Sequence, residues 1–302
     1  MKVVCITNDV EATTITGEAY NEDVARRVTL EALPSVLALY KRYGVRATFF
    51  CQGSMVAQYP EIVTMIEREG HEVACHGWLH DSDKAFDVLS LDEQIYHLRK
   101  AKETIDRHTT YPIVSFRAPA LRVNEYTPIA LRDAGYLLDS SVAPQRLDAF
   151  MSMGSRRKMQ WIGAPRGVYE AGESNLARAG SSGITEVPVS AWGVPYISTL
   201  MRISSSLTHL TRWLLRLETS WKDNNTVVCF LFHPGEVLEH QLDNYHVVRR
   251  SHNPITYLIT GVLRARLKRR NLGAPCLALL EDELAYWKKH NYEFRTIREL
   301  KI

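Results

Sequence analysis

VRATFFCQGSMVAQYPEIVTMIEREGHEVAC, residues 45–75, passes from one hydrophobic period to another and back. Val45 to Cys51 is rich in β-formers and reads as a strand. Met55 to Glu69 carries apolar residues at helical spacing and is ended by Gly70, after which His71 to Cys75 reads as a second strand. A strand, a crossover helix and a strand is the unit of a parallel sheet. The same alternation extends in both directions. Upstream, Lys2 to Thr7 is a β-branched run, and Val24 to Arg42 is a helix stopped by Gly44. Downstream follow a helix over Leu91–His108, a strand over Val114–Phe116, a helix over Thr127–Ala134 and a strand over Tyr136–Leu138. Repeated alternation predicts parallel strands with helices outside them, as a doubly wound sheet or a barrel.

From Gln145 to Gly183 the periodicity is lost while Gly, Ser and Arg accumulate, which predicts an irregular insertion. Strands resume at Thr185–Ser190 and Thr226–Phe232, separated by an amphipathic helix over Leu200–Leu217. Two further helices, Tyr257–Arg270 and Leu277–His290, and a short strand at Tyr292–Phe294 complete the chain. The expectation is one domain over 1–302, with an insertion at about 145–183 and a C-terminal helical extension at about 255–302.

Composition narrows the function. Of 302 residues, 45% are hydrophobic and 24% charged, which excludes disorder and fibres. The 37 basic and 34 acidic residues leave a formal charge of +3, too small to make nucleic acid the expected partner. Cys5, Cys51, Cys75, Cys229 and Cys276 are odd in number and form no disulfide framework. The opening MKVVCITND lacks a signal-peptide pattern, and no apolar run approaches the roughly 18 residues of a membrane span. A cytoplasmic location is therefore expected.

Parallel α/β folds collect reactive groups at the C-terminal ends of their strands. Just past the predicted strands lie Asp9 and Glu11, His76 and His80, Arg117, Asp139, and His233. Nearly all are acids, bases or metal ligands. Two histidines one helical turn apart and a carboxylate from another strand supply the three protein ligands of an open catalytic metal site. A second carboxylate two residues away can take a proton from water, an arginine can keep it ionised, and a histidine opposite can protonate a leaving group. This combination suits amide hydrolysis.

In this order the residues resemble the polysaccharide deacetylase family, also called the NodB-homology or carbohydrate esterase family 4 group. Thr7-Asn8-Asp9-Val10-Glu11 is similar to its first motif, in the variant with the metal carboxylate two residues after the base. His76-Gly77-Trp78-Leu79-His80 is similar to the second and Arg117-Ala118-Pro119 to the third. Asp139-Ser140-Ser141, Glu186-Val187-Pro188-Val189-Ser190 and Phe232-His233-Pro234 extend the resemblance over about residues 1–240.

The resemblance implies a distorted (β/α) barrel of about seven parallel strands and metal-dependent removal of acetyl groups from N-acetylated sugars. It assigns Glu11, His76 and His80 to a divalent metal, Zn²⁺ first, with Co²⁺, Ni²⁺ or Mn²⁺ as alternatives. It makes Asp9 the base, Arg117 the residue that orients it, and His233 the acid. A backbone N–H near Ala120 would stabilise the oxyanion. Trp192 would face the acetyl group, and Asp139 and Trp78 would contact substrate or support these groups. Two other functions share such a barrel: hydrolysis of small linear or cyclic amides, and glycan binding without turnover.

The expected substrates are a sugar nucleotide, a lipid-linked glycan or another N-acetylated precursor. Arg249, Arg250, Arg264, Arg266, Lys268, Arg269 and Arg270, with Leu258, Ile259, Val262, Leu263 and Leu267 between them, read as a solvated basic helix. The sharper expectation is that this helix, with Leu200–Leu217, rests on the inner face of an anionic membrane or meets the pyrophosphate of a lipid-linked sugar.

Overall fold

A computed structural model describes residues 2–13, 20–80, 85–144, 161–221, 226–239 and 262–301. Strand β1 (Val3–Val10) is buried along its whole length and is paired with a parallel neighbour on each edge. Parallel strands run in the order β11 (Val228–Phe232), β1, β2 (Ala47–Cys51), β3 (Glu72–Cys75), β4 (Ser115–Phe116), β5 (Leu138–Asp139) and β8 (Thr185–Glu186). These seven strands form the distorted (β/α) barrel expected from the sequence. Between β8 and β11 the wall is continued by single bonds: Ser190 N donates to Cys229 O at 3.0 Å and Leu231 N to Tyr196 O at 3.2 Å. β12 (Glu293–Phe294) adds a parallel pair beside the start of β1.

The first helical layer comprises α1 (Glu22–Arg27) and α2 (Leu33–Tyr43), joined by a π turn over Val28–Ala32. Pro34 lies in the first turn of α2, and its missing N–H forbids a regular helix through that point. Gly44, at φ 65°, ends it as expected. The helix predicted over 55–69 is instead two, α3 (Gly53–Gln58) and α4 (Glu61–Arg68). Pro60 drives Tyr59 out of helical geometry, and that residue's φ is −129°. α5 (Leu91–Asp106), with a capping box at Ser90, and α6 (Thr127–Asp133) follow the sequence closely.

The second half departs further. Of the insertion predicted at 145–183, residues 145–160 lie outside the described chain, but its later part is regular. β6 (Tyr169–Gly172) and β7 (Asn175–Ala179) form an antiparallel hairpin that joins the sheet beside β8. Tyr169 and Ala171 alternate with exposed or half-exposed neighbours, and Tyr169 donates its hydroxyl to Leu176 O at 2.6 Å. The many Gly and Ser residues at the turns masked that pattern. A second small hairpin, β9 (Ala191–Trp192) with β10 (Val194–Pro195), turns at Gly193.

The helix predicted over 200–217 is broken at Ser204 into α7 (Ser198–Ile203) and α8 (Ser205–Trp221). Of the predicted 257–270 helix, residues 257–261 lie outside the described chain. α9 (Arg264–Lys268) is described, and α10 (Ala274–Lys289) buries Cys276, Leu280, Leu284 and Trp287 in the main core. All five cysteines are free and buried.

Candidate metal and catalytic site

Successive strands present their next residue at one level of the barrel. Gln52 N bonds Val10 O, His76 N bonds Cys51 O, Arg117 N bonds Cys75 O, Ser140 N bonds Phe116 O and Val187 N bonds Asp139 O, all at 2.8–3.1 Å. One staggered ladder therefore brings His76, Arg117 and Ser140, far apart in sequence, to the same rim. Along β1 the period of two places Thr7, Asp9 and Glu11 on one side of the strand.

Arg117 is fully buried and organises this rim. Its Nη1 donates to Thr7 Oγ1 and Asp9 Oδ1, each at 2.8 Å. Nε donates to Ser140 O at 2.9 Å and Nη2 to Ser140 Oγ at 2.7 Å, while the guanidinium plane sits 4.3 Å from the Phe50 ring centroid. Such a paired, hydrogen-bonded charge is tolerated in a low-dielectric interior. The carbonyl of Arg117 accepts from His76 Nδ1 at 3.0 Å, which fixes that tautomer and turns Nε2 to the cavity.

His76 Nε2 lies 3.4 Å from Glu11 Oε2 and 3.9 Å from Asp9 Oδ2, and His80 Nε2 lies 2.8 Å from the same Glu11 oxygen. Ligand atoms of Glu11, His76 and His80 all fall within 4.8 Å of one another. His76 Nε2 and His80 Nδ1 are buried without a hydrogen-bond partner. Burial opposes ionisation of Glu11, yet His80 and His76 outweigh it and hold the carboxyl well below its usual range. His80 is raised in turn: burial works against its charge, and Glu11 overcomes that cost. Orphaned nitrogens around an ionised carboxylate fit a divalent cation of the Zn²⁺ class.

The histidine pair sits on a loop past β3 rather than on a helix. Gly77 makes the bend at φ 73°, and a Cβ there would lie 3.2 Å from Pro119 Cγ. Ala120 and Leu121, both at φ 53°, hold the adjoining loop in the left-handed region, a strain of the kind found where a site dictates the backbone.

His233 follows β11. Its Nδ1 is 3.1 Å from Ser198 Oγ and 3.7 Å from Glu236 Oε1. Three other expected site residues sit elsewhere. Asp139 does not touch Arg117; the strand-five partner is Ser140, one residue on. Asp139 accepts from Ser141 N and Oγ at 3.1 and 2.7 Å, and Ser141 Oγ in turn accepts from Ala118 N at 2.9 Å. It also hydrogen-bonds Glu186. Burial raises both carboxyls, Glu186 well above its usual range.

Trp192 is not a wall of this cavity. Its Nε1 donates to Glu218 Oε2 at 3.1 Å, and Glu218 lines a small hollow with Thr226 and Val227 at the other end of β11 from His233. Trp78 packs over Gly53, with Lys100 Nζ 4.2 Å from its ring centroid. Sequence reasoning missed Ser140, Ser198, Glu236 and Arg202. Only Glu236, three residues past His233, carried a readable signal.

Residues 23–138 match the polysaccharide deacetylase family. The match contains His76, His80 and Arg117, while Asp9, Glu11 and His233 lie outside it. The chain is 35% identical to a peptidoglycan-N-acetylglucosamine deacetylase of Listeria monocytogenes over 92 residues, 30% of this chain and 19% of that protein. It is 29% identical to a peptidoglycan deacetylase of Helicobacter pylori over 128 residues, 42% and 43% of the two chains. A chitin deacetylase of Pestalotiopsis is 30% identical over 105 residues, 33% and 34% of the two. The chain thus spans less than half the length of each of these relatives. Among solved structures, a putative polysaccharide deacetylase from Mycobacterium smegmatis superposes with a TM-score of 0.58 at 19% identity, covering 99% and 88% of the chains. A CE4-family pseudoenzyme from Bacillus anthracis gives 0.51 at 15%, covering 100% and 66%. These likenesses establish the barrel fold.

Proposed function

We infer, for a chain that carries a polysaccharide deacetylase family segment at residues 23–138, a metal-dependent hydrolase that removes the acetyl group from an N-acetylated glycan. The observation that carries the reading is one rim holding Glu11, His76 and His80 as a ligand triad, with Asp9 beside it, clamped by Arg117. Glu11 Oε2, His76 Nε2 and a ring nitrogen of His80 would hold the cation, with Zn²⁺ the first choice for two imidazoles and one carboxylate. When bound it supplies Lewis-acid polarisation of the acetamide carbonyl and acidifies water.

The chain's own groups supply the rest. Arg117 occupies Asp9 Oδ1, and Asp9 Oδ2 faces the triad, placed to receive a proton from water. The backbone around Ala120 is the candidate oxyanion donor. His233, across the rim, delivers a proton to the amine as the C–N bond breaks. Relatives named for peptidoglycan and chitin support a substrate of N-acetylglucosamine type.

A cytoplasmic sugar nucleotide or lipid-linked glycan is the finer proposal, and the outer surface adds support for membrane contact. α8 exposes Leu210, Trp213 and Trp221 at 50, 45 and 87%. Exposed Arg266, Arg269 and Arg270 follow near its first turn, where Arg270 Nη1 bonds Ile203 O. Arg249, Arg250, Leu258 and Ile259 lie outside the described residues. Apolar and basic side chains on neighbouring elements suit an anionic interface.

The test measures acetate release from N-acetylglucosamine oligomers, peptidoglycan fragments and UDP-N-acetylglucosamine, beside formate release from a panel of formamides and ring opening of cyclic imides. Acetate from at least one N-acetylated sugar is expected. Turnover of the small amides alone would overturn the glycan reading.

A further inference from the structure

His233 is fastened from behind by a chain of polar groups that reaches into the C-terminal extension. Nδ1 lies 3.1 Å from Ser198 Oγ, at the start of α7. Behind the serine is Glu236, in the turn after β11, and the Ser198 hydroxyl helps hold its carboxyl down. Thr199 Oγ1 donates to Glu236 Oε1 at 2.9 Å, and Arg202 takes both oxygens, Nη2 to Oε1 and Nε beside Oε2, each at 2.8 Å. Glu236 and Arg202 are almost wholly buried. Arg202 Nη1 then donates to Lys268 O at 2.6 Å and Arg270 O at 2.8 Å, and Asn271 Nδ2 donates to Arg202 O at 2.7 Å. Gly273 N closes back on Glu236 O at 3.0 Å.

We propose that Ser198, Glu236 and Arg202 are positioning residues for His233, and that the 268–273 turn is the structural support of this array. The inference rests on the reading of His233 as the acid for the leaving amine. Hydrogen positions follow from acceptor strength. A carboxylate is the strongest acceptor present, so the Ser198 proton goes to Glu236 and the serine oxygen accepts from His233 Nδ1–H. Burial opposes the charge of Glu236, but Arg202 overcomes it and holds that carboxyl down to about 2. With Nδ1–H so engaged, Nε2 is the nitrogen aimed at the site. In the transfer the Nε2–H bond of the imidazolium breaks, an N–H bond forms on the amine, and neutral His233 keeps its Nδ1 proton on Ser198. Arg202 holds Glu236 Oε1 at 2.8 Å and leaves it 3.7 Å from His233 Nδ1, so the serine is the nearer partner of the imidazole.

The test compares two substrates in the metal-loaded enzyme. Hydrolysis of an acetamide sugar needs a proton for its amine, whereas 4-nitrophenyl acetate releases a phenolate that leaves without one. Ser198→Ala is expected to lower kcat on the acetamide by ~10- to 100-fold, with KM and ester turnover changed by no more than about twofold. Ser198→Thr, which keeps the hydroxyl, should restore the acetamide rate, and His233→Ala sets the largest loss. Equal loss on both substrates, or none on either, overturns the positioning role. Absence of acetamide turnover in the wild type, with ester turnover intact, overturns the deacetylase reading instead. A readout without turnover is the ¹⁵N spectrum of labelled histidines, assigned with His233→Gln. The Nδ1–H tautomer of His233 should dominate in the wild type and lose its dominance in Ser198→Ala. Dominance of the other tautomer in the wild type would also sink the proposal.

Discussion

Arg117 Nη1 holds Asp9 Oδ1 at 2.8 Å, and the second oxygen of the same carboxylate stands 3.9 Å from His76 Nε2. One oxygen is committed to orientation, and in the proposed mechanism the other receives the proton. Asp9→Asn preserves the Arg117 contact but cannot take a proton. Activity is expected to fall by ~10²- to 10⁴-fold with metal content unchanged. Metal analysis beside the acetate assay checks it, and loss of metal from this variant would make Asp9 a ligand.

Metal content follows from the triad. Purified protein should carry about one divalent ion per chain, Zn²⁺ foremost. His76→Ala combined with His80→Ala should abolish it, and Glu11→Gln should weaken it. Elemental analysis after dialysis reads the result, and unchanged stoichiometry in the double variant would rule out this site.

Gly77 meets two steric demands at once, φ 73° and 3.2 Å from its would-be Cβ to Pro119. Gly77→Ala should destabilise the fold by roughly 1–3 kcal/mol and lower Tm by several degrees, because left-handed strain and crowding add. Thermal unfolding of the apoprotein measures this. No change in Tm would mean the His76–His80 loop is free to relax.

His71 gives a pH signature away from the site. Its Nδ1 accepts from Ala47 N at 3.2 Å, which requires a neutral ring, and burial pushes its pKa down to about 4, against a small opposing pull from Glu69. Between about 6.5 and 4 the unfolded chain binds the proton more readily. Its contribution is therefore full above about pH 6.5 and is lost as pH falls towards 4. Urea unfolding across that range should show the decline, and His71→Gln should flatten it. An equal slope in the variant would assign the effect to other groups.

For the surface of α8, Trp213→Ser with Trp221→Ser should reduce binding to anionic vesicles at low salt at least several-fold. High salt should weaken the wild type as well. Co-sedimentation decides, and wild-type protein that stays in solution with anionic lipid at low salt removes the membrane from the account.

The strand–helix alternation and the residues at the strand ends could be read from the order of side chains alone. A parallel strand covered on both faces is mostly apolar, its crossover is usually a helix, and reactive groups cluster towards the strands' C-terminal ends. Asp9, Glu11, His76, His80, Arg117 and His233 were all legible on that ground. The hairpin at Tyr169–Ala179 was not, because glycine and serine turns dilute so short an alternation. The partners of those residues were set by packing. Ser140 rather than Asp139 meets Arg117 because the sheet stagger sets which residue reaches the rim. Trp192 moved to the far end of β11 because Ser190, two residues earlier, pairs with Cys229 near that strand's start. Ser198, Glu236 and Arg202 gather behind His233 through contacts between three separate segments. Spacing along a chain reports which faces coincide within one element; the stagger between elements, which sets every distance at this site, is fixed only when the barrel packs.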